Sequence, residues 1–216
     1  MALTLYYHPL SSYCWKVLIA LYEADVPFTP RQVNLSDPAD RAAFTALWPL
    51  AKFPLLRDEG RAESVPESTI IIEYLAERFA GARRLLPTDA EQARPVRLLD
   101  RLFDQYVHQP LQQVVGERLR PEGQHDPYGA EQARAQLRRG YALLEPLVVG
   151  PWAAGESFTL ADCAALPALF YGDYAVRLEG WPRLAGYLER LKARPSIDRV
   201  LKEAQPWLAH FPLRDG

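Results

Sequence analysis

The sequence predicts an α+β chain in two parts: a mixed unit over residues 1–80 with the order β-α-β-α-β-β-α, and an all-helical unit over 89–216, joined by a linker at 81–88. Three observations predict it. Short strand-like and helix-like segments alternate as far as Phe79, the pattern of a sheet covered by helices. Gly81, Arg83, Arg84 and Pro87 then cluster between periodic segments, as linker residues do. Beyond them apolar residues recur only at helical spacing.

Each element has its own signal. Residues 3–7 form a short apolar strand, and the pattern from Trp15 to Tyr22 predicts a helix over 12–24. Residues 28–33 read as the second strand. Asp37-Pro38 pairs a capping residue with proline at the first helical position, so a helix is expected over 39–48. Residues 54–57 and 62–65 read as two strands joined by the hairpin-type turn signal Asp58-Glu59-Gly60. Ile71, Ile72, Leu75 and Phe79 lie along one face of a helix over 68–79. In the second part Leu98, Leu99, Leu102, Phe103 and Tyr106 are helically spaced, as are Ala133, Leu137, Tyr141, Leu144 and Leu147. Further helices are expected over 160–174, 182–193 and 197–209.

Composition narrows the function classes. The chain has 216 residues, 49% hydrophobic and 24% charged, with a formal net charge of -2. A surface built to neutralise phosphates would cluster Lys and Arg, so no nucleic-acid partner is expected. Two cysteines, Cys14 and Cys163, provide neither a disulfide framework nor metal-ligand spacing; a reducing compartment and no metal are expected. The start Met-Ala-Leu-Thr-Leu lacks a signal-peptide pattern, and the longest strongly apolar run, 163–171, is interrupted by Pro167 and too short to span a bilayer. These features predict a soluble cytoplasmic protein with no membrane partner.

The most telling segment is Ser11-Ser12-Tyr13-Cys14, where the first strand gives way to the first helix. A strand feeding a helix through Cys-x-x-Cys is the thioredoxin-like signature. Here Ser11 occupies the first position and only Cys14 keeps its sulfur. Such a thioredoxin-like frame cannot close its own disulfide but can still bind a thiol.

Three further stretches join it in order. They are Ala51-Lys52-Phe53-Pro54-Leu55-Leu56, Glu67-Ser68, and Phe158-Thr159-Leu160-Ala161-Asp162. Together with the Ser-x-x-Cys turn they resemble, over nearly the whole chain, the cytosolic glutathione transferases, and within them the serine-type theta- and zeta-like bacterial branch. The resemblance implies glutathione as co-substrate, a small electrophile as partner and a homodimer. It also implies roles. Ser11 matches the family's first active-site position and is the catalytic candidate, as hydrogen-bond donor to a bound thiolate. Pro54 matches the cis-proline, Phe53 would pair through its backbone with the cysteinyl part, and Lys52 would meet the glycyl carboxylate. Glu67 and Ser68 would bind the γ-glutamyl ammonium and carboxylate. The second substrate would lie above Ser11 between the two parts, with His8, Leu10, Tyr13, Tyr106 and Gln109 as wall residues, Pro110 kinking the helix of the last two.

Each residue also has a plainer reading. Ser11 could be simply an N-cap, a position serine favours, and Ser12 could take either part, contacting the glutathione thiolate or capping the helix while Ser11 does the chemistry. Cys14 is either a buried packing group or a thiol that forms a mixed disulfide with glutathione. Pro54 could be a trans proline opening an edge strand, and Glu67-Ser68 a simple helix start. Cys163 reads as core. Thr159 and Asp162 form a capping-box pattern, with Phe158 and Cys163 at the staple positions, and this motif is assigned to folding.

The chemistry requires a thiolate at neutral pH. A thiol of pKa near 8.5 is only roughly 3% ionised at pH 7, and a fall of about two units raises that to roughly 75%. That shift corresponds to about 2.7 kcal/mol, within reach of a hydroxyl hydrogen bond and a helix dipole acting together. Three other uses of the same site stay open. Ser11-Ser12-Tyr13-Cys14-Trp15 is similar to the Ser-Ser-Cys-Ser-Trp of maleylacetoacetate isomerases, a disulfide reductase would use the same thiol, and a glutathione-binding protein could keep the fold without turnover.

Overall fold

The computed structural model describes residues 2–213, and the chain divides into two compact units, Met1–Leu86 and Pro87–Gly216. In the first unit the elements run β1 (Leu3–Tyr7), α1 (Ser12–Glu23), β2 (Thr29–Gln32), α2 (Pro38–Leu47), β3 (Leu55–Asp58), β4 (Glu63–Pro66) and α3 (Ser68–Arg78). The mixed sheet has the order β2-β1-β3-β4, with β1 parallel to β2 and antiparallel to β3. This is a thioredoxin-like arrangement, as the alternation of segments predicts.

Register sorts the side chains into two layers. Tyr6 pairs with Leu55, and both pack with Val33 and Phe44 of α2 in one apolar cluster. Leu5 pairs with Leu56 one residue away, so alternation turns this pair to the opposite face, where α1 packs on α3. Trp15, Val17, Ile19, Ile71, Ile72 and Leu75 are fully buried there. At about 25 cal/mol per Å² such burial is the main term holding the helices to the sheet.

Two details differ from the sequence reading. The hairpin turn spans four residues, and its positive φ falls on Ala62 (52°), not on Gly60. The stretch 81–88 is also more than a linker, because residues Ala80–Leu85 form a 3-10 helix packed on α1 and α3. A Cβ at Gly81 would overlap the Ala24 carbonyl oxygen, so glycine permits this close approach.

The second unit contains α4 (Ala90–Leu102), a π-helical stretch (Phe103–His108), α5 (Gln109–Arg118), α6 (Pro127–Leu144), α7 (Leu160–Ala175), α8 (Pro182–Lys192) and α9 (Pro195–Ala204), followed by a 3-10 helix (Gln205–His210). Helix α7 is buried on almost every side, and α4, the π stretch, α5 and α8 surround it. The disturbance expected at Pro110 takes the form of the π stretch just before it. Proline has no N–H to return to the Tyr106 carbonyl in α-helical register. Gly140 of α6 lies against that carbonyl, where any Cβ would overlap the oxygen.

Helix α7 starts on the capping box read from the sequence. The Asp162 carboxylate accepts from the Thr159 N–H at 2.7 Å, the Thr159 hydroxyl at 3.1 Å, the Ala153 N–H at 2.8 Å and the Tyr187 hydroxyl at 2.5 Å. One buried side chain thus ties together the helix start, the preceding loop and α8.

Candidate functional site

The register of the sheet gathers the sequence-predicted residues of the first unit. Tyr6 pairs with Leu55 and Leu55 with Pro66, so the segments after β1, before β3 and after β4 all leave the sheet at one end. Ser11, Lys52 to Pro54, and Glu67 with Ser68 belong to those three segments. Side chains confirm the proximity: the His8 and Phe53 rings lie 6.3 Å apart, and Lys16 Nζ of α1 donates to Thr69 Oγ1 of α3 at 2.8 Å.

Ser11 is the N-cap of α1 by position, with φ -73° and ψ 112°, yet its side chain makes no capping hydrogen bond. The backbone does that work, since the Ser11 carbonyl accepts from Cys14 and Trp15 N–H at 2.9 and 3.1 Å. Its hydroxyl lies beside the Cys14 thiol and lowers that thiol's pKa against the larger effect of burial. Ser12, the first residue of the helix, is buried. Neither of the first two serines is followed by an acid in the first turn, so no carboxylate neutralises the helix dipole there.

Cys14, which the sequence reading places among the glutathione-contacting side chains, lies in the core. It is 0% exposed, and burial pushes its thiol up to about 12, against smaller opposing hydrogen bonds from Ser11 and the His8 backbone. A thiol so placed stays protonated at neutral pH and out of reach of a disulfide partner. Burial of this kind suits a packing group. Cys163 is buried as well.

The segment before β3 has two marked features. The Phe53–Pro54 bond is cis, as the resemblance implies, and the paired part of the strand begins just beyond it at Leu55. Ala51 has φ 49°, in the left-handed region that favours glycine. Phe53 stacks on Phe44 at 5.1 Å, which in turn stacks on Tyr6 at 5.9 Å. Lys52 is exposed.

Glu67 occupies a left-handed conformation (φ 68°) as N-cap of α3, with no side-chain capping bond. Ser68 follows as the first helical residue and is buried, and the first turn of α3 contains no acid. A non-glycine residue held at positive φ costs about 1–2 kcal/mol, and such strain collects at ligand sites.

Tyr106, the wall residue read in the second unit, lies in the π stretch and is 51% exposed. His8 is half-buried, and burial lowers its pKa, so the ring is neutral at pH 7. Its Nδ1 accepts from the Leu10 N–H at 3.2 Å, which places the ring proton on Nε2.

Sequence reasoning missed two residues that support these segments. The Trp15 indole N–H donates to the Pro9 carbonyl at 2.6 Å and ties down the loop that carries Ser11. Lys16 is wholly buried against α3. The available signal was a lone lysine in the apolar run Trp15-Lys16-Val17-Leu18-Ile19.

Comparison with known proteins agrees with this arrangement. Residues 5–83 match the family model of the glutathione S-transferase N-terminal domain, and residues 127–190 match that of the C-terminal domain. The chain belongs to the glutathione S-transferase family. It is 30% identical to FtsZ-localized protein A of Caulobacter vibrioides, over 95% of this chain and 93% of that protein. It is 27% identical to the maleylacetoacetate isomerase maiA of Aspergillus fumigatus, over 94% and 91%. A glutathione S-transferase structure from Methylobacillus flagellatus with glutathione bound superposes with a TM-score of 0.84 at 28% identity, covering 92% of this chain and 98% of that one. Among the described residues no group of side chains could hold a metal ion, and no helix is long and apolar enough to cross a membrane.

Proposed function

We propose that this protein is a glutathione transferase in which Ser11 stabilises the glutathione thiolate for attack on a small, largely apolar electrophile. One observation carries the reading: the register Tyr6–Leu55–Pro66 brings Ser11, the cis-Pro54 segment and Glu67-Ser68 to the same end of one sheet. In this reading the Ser11 hydroxyl turns from the weakly accepting Cys14 thiol to the charged sulfur, a stronger acceptor. The thiolate forms a C–S bond, and the electrophile either expels its leaving group with the bonding electrons or takes a proton from water.

The rest of the tripeptide is met in the same unit. The backbone of Phe53 pairs with the cysteinyl residue as an added strand would. Ser68 and the first N–H groups of α3 receive the γ-glutamyl carboxylate, Glu67 pairs with its ammonium and Lys52 with the glycyl carboxylate. The test is a glutathione titration of wild type and Ser11→Ala, followed by near-ultraviolet thiolate absorbance between pH 5 and 9. An apparent thiol pKa well below 8.5 that rises in the variant supports the reading. Binding without a pKa shift refutes it.

Two further readings have specific support. The isomerase reading is favoured by the similarity of Ser11-Ser12-Tyr13-Cys14-Trp15 to the isomerase motif and by the Aspergillus relative. Turnover of maleylacetone without net loss of glutathione would establish it. A binding role without turnover is favoured by the Caulobacter relative, whose name describes localisation and no reaction. Glutathione binding with no thiolate signal would point that way.

A further inference from the structure

We propose that Lys16 is a positioning residue for the γ-glutamyl end of glutathione, holding the first turn of α3 at the spacing from α1 that the tripeptide spans. The proposal rests on the glutathione reading above. Lys16 is 0% exposed, and lysine is almost never fully buried unless its ammonium has partners. One such partner is the Thr69 hydroxyl, at 2.8 Å.

The position of this bond is what gives it meaning. Thr69 directly follows Ser68 at the start of α3, and Lys16 lies one turn beyond Ser12 at the start of α1. Farther along the two packed helices, Val17, Ile19, Ile72 and Leu75 are all fully buried and apolar. A leucine at residue 16 would fill space equally well, but an apolar contact is non-directional. A donor–acceptor bond fixes both the separation and the rotation of the two first turns. Glutathione makes that demand, because its thiol must reach Ser11 while its γ-glutamyl carboxylate reaches Ser68. The Ser11 side has an independent tether in the Trp15–Pro9 bond, so loosening Lys16 should act on one end of the ligand only.

The experiment compares kcat/KM for glutathione and for cysteinylglycine, which lacks the γ-glutamyl residue, in wild type, Lys16→Met and Thr69→Val, with the thiol pKa of bound glutathione alongside. Methionine keeps the unbranched bulk of lysine, and Thr69→Val removes the acceptor while leaving Lys16 in place. The expected result is a loss of roughly 10- to 100-fold for glutathione, carried by KM, in Lys16→Met and a smaller loss in Thr69→Val, as for loss of a charged hydrogen bond. Cysteinylglycine turnover should change less than about twofold and the thiol pKa should stay put. A general structural role predicts instead that both thiols weaken together, and that result overturns the proposal, as does unchanged glutathione kinetics. If Lys16→Met does not fold, Thr69→Val decides by the same ratio. If wild type binds no glutathione, the underlying reading fails before any substitution is made, and the proposal falls with it.

Discussion

Helices α3 and α7 begin in opposite ways. The start of α7 is closed: the Asp162 carboxylate takes four donors, including the N-cap N–H, and is buried beneath α8. The start of α3 is open: its N-cap Glu67 makes no side-chain capping bond and no acid sits in its first turn. Helix α1 resembles α3 in this, whereas α2, α4 and α6 are capped by Asp37, Asp89 and Asp126. A helix N-terminus offers the same free N–H groups and dipole wherever it occurs. What differs is whether a carboxylate of the chain bonds to those groups. In the first unit the two helices with neither a side-chain capping bond nor an acid in the first turn, α1 and α3, are those that begin at the shared end of the sheet.

The largest expected effect breaks the closed end. Asp162→Ala strands the Thr159 and Ala153 N–H groups and the Tyr187 hydroxyl in the core, and should lower stability by about 3–5 kcal/mol in urea unfolding. A loss below about 1 kcal/mol would mean that α7 needs no such closure. Ser11→Ala tests the open end with the opposite signature. It should lower kcat/KM by roughly 10- to 100-fold, for loss of a hydrogen bond to charge worth about 1.5–3 kcal/mol, while moving the unfolding midpoint little. If the variant loses stability like a cap and keeps its rate, Ser11 is only a cap.

Thr159→Ala should cost about 0.5–2 kcal/mol, less than Asp162→Ala because the carboxylate and its other donors remain. Away from the site, Tyr74 donates to buried Asp58 at 2.7 Å, which lowers the Asp58 pKa, while burial and that bond raise the Tyr74 hydroxyl to about 12. The signs follow from linkage. The Asp58 contribution is present above the unfolded carboxyl value near 4 and is lost as pH falls through the lower folded value. The Tyr74 contribution is present below about 10 and is lost as pH rises towards 12. Tyr74→Phe should therefore cost about 1 kcal/mol at neutral pH and flatten both limbs of a stability–pH curve. Wild-type limbs left unchanged by the variant would exclude this pair as their source. The smallest effect is Ala51→Gly, where relief of the left-handed backbone outweighs the added chain entropy by about 0.5 kcal/mol. A lower melting temperature would show that Ala51 is not strained.

Much of this was legible from residues alone. The alternation up to Phe79 predicts the sheet and its helices, Asp37-Pro38 predicts the start of α2, and Thr159 with Asp162 predicts the capping box, because these signals are local. What escaped were features created by neighbours distant in sequence. The left-handed backbone at Ala62 replaces the expected glycine turn because the hairpin closes around Asp58, whose backbone carbonyl and side chain both accept from the Arg61 N–H. The close approach of α6 to the Tyr106 carbonyl at Gly140 is another such feature. Within the candidate site, Ser11, Pro54, Glu67 and Ser68 were singled out in advance. The burial of Cys14 and the reach of Lys16 to Thr69 required the packed α1–α3 layer.

The antiparallel pairing that sends three segments out of one end of the sheet also sets where the molecule can be handled. Leu3 pairs with Asp58 and Asp58 with Glu63, so the turn over 59–62 lies at the far end of the strands. A fluorophore or surface anchor attached at exposed Glu59 or Gly60 would stand a full strand length from Ser11.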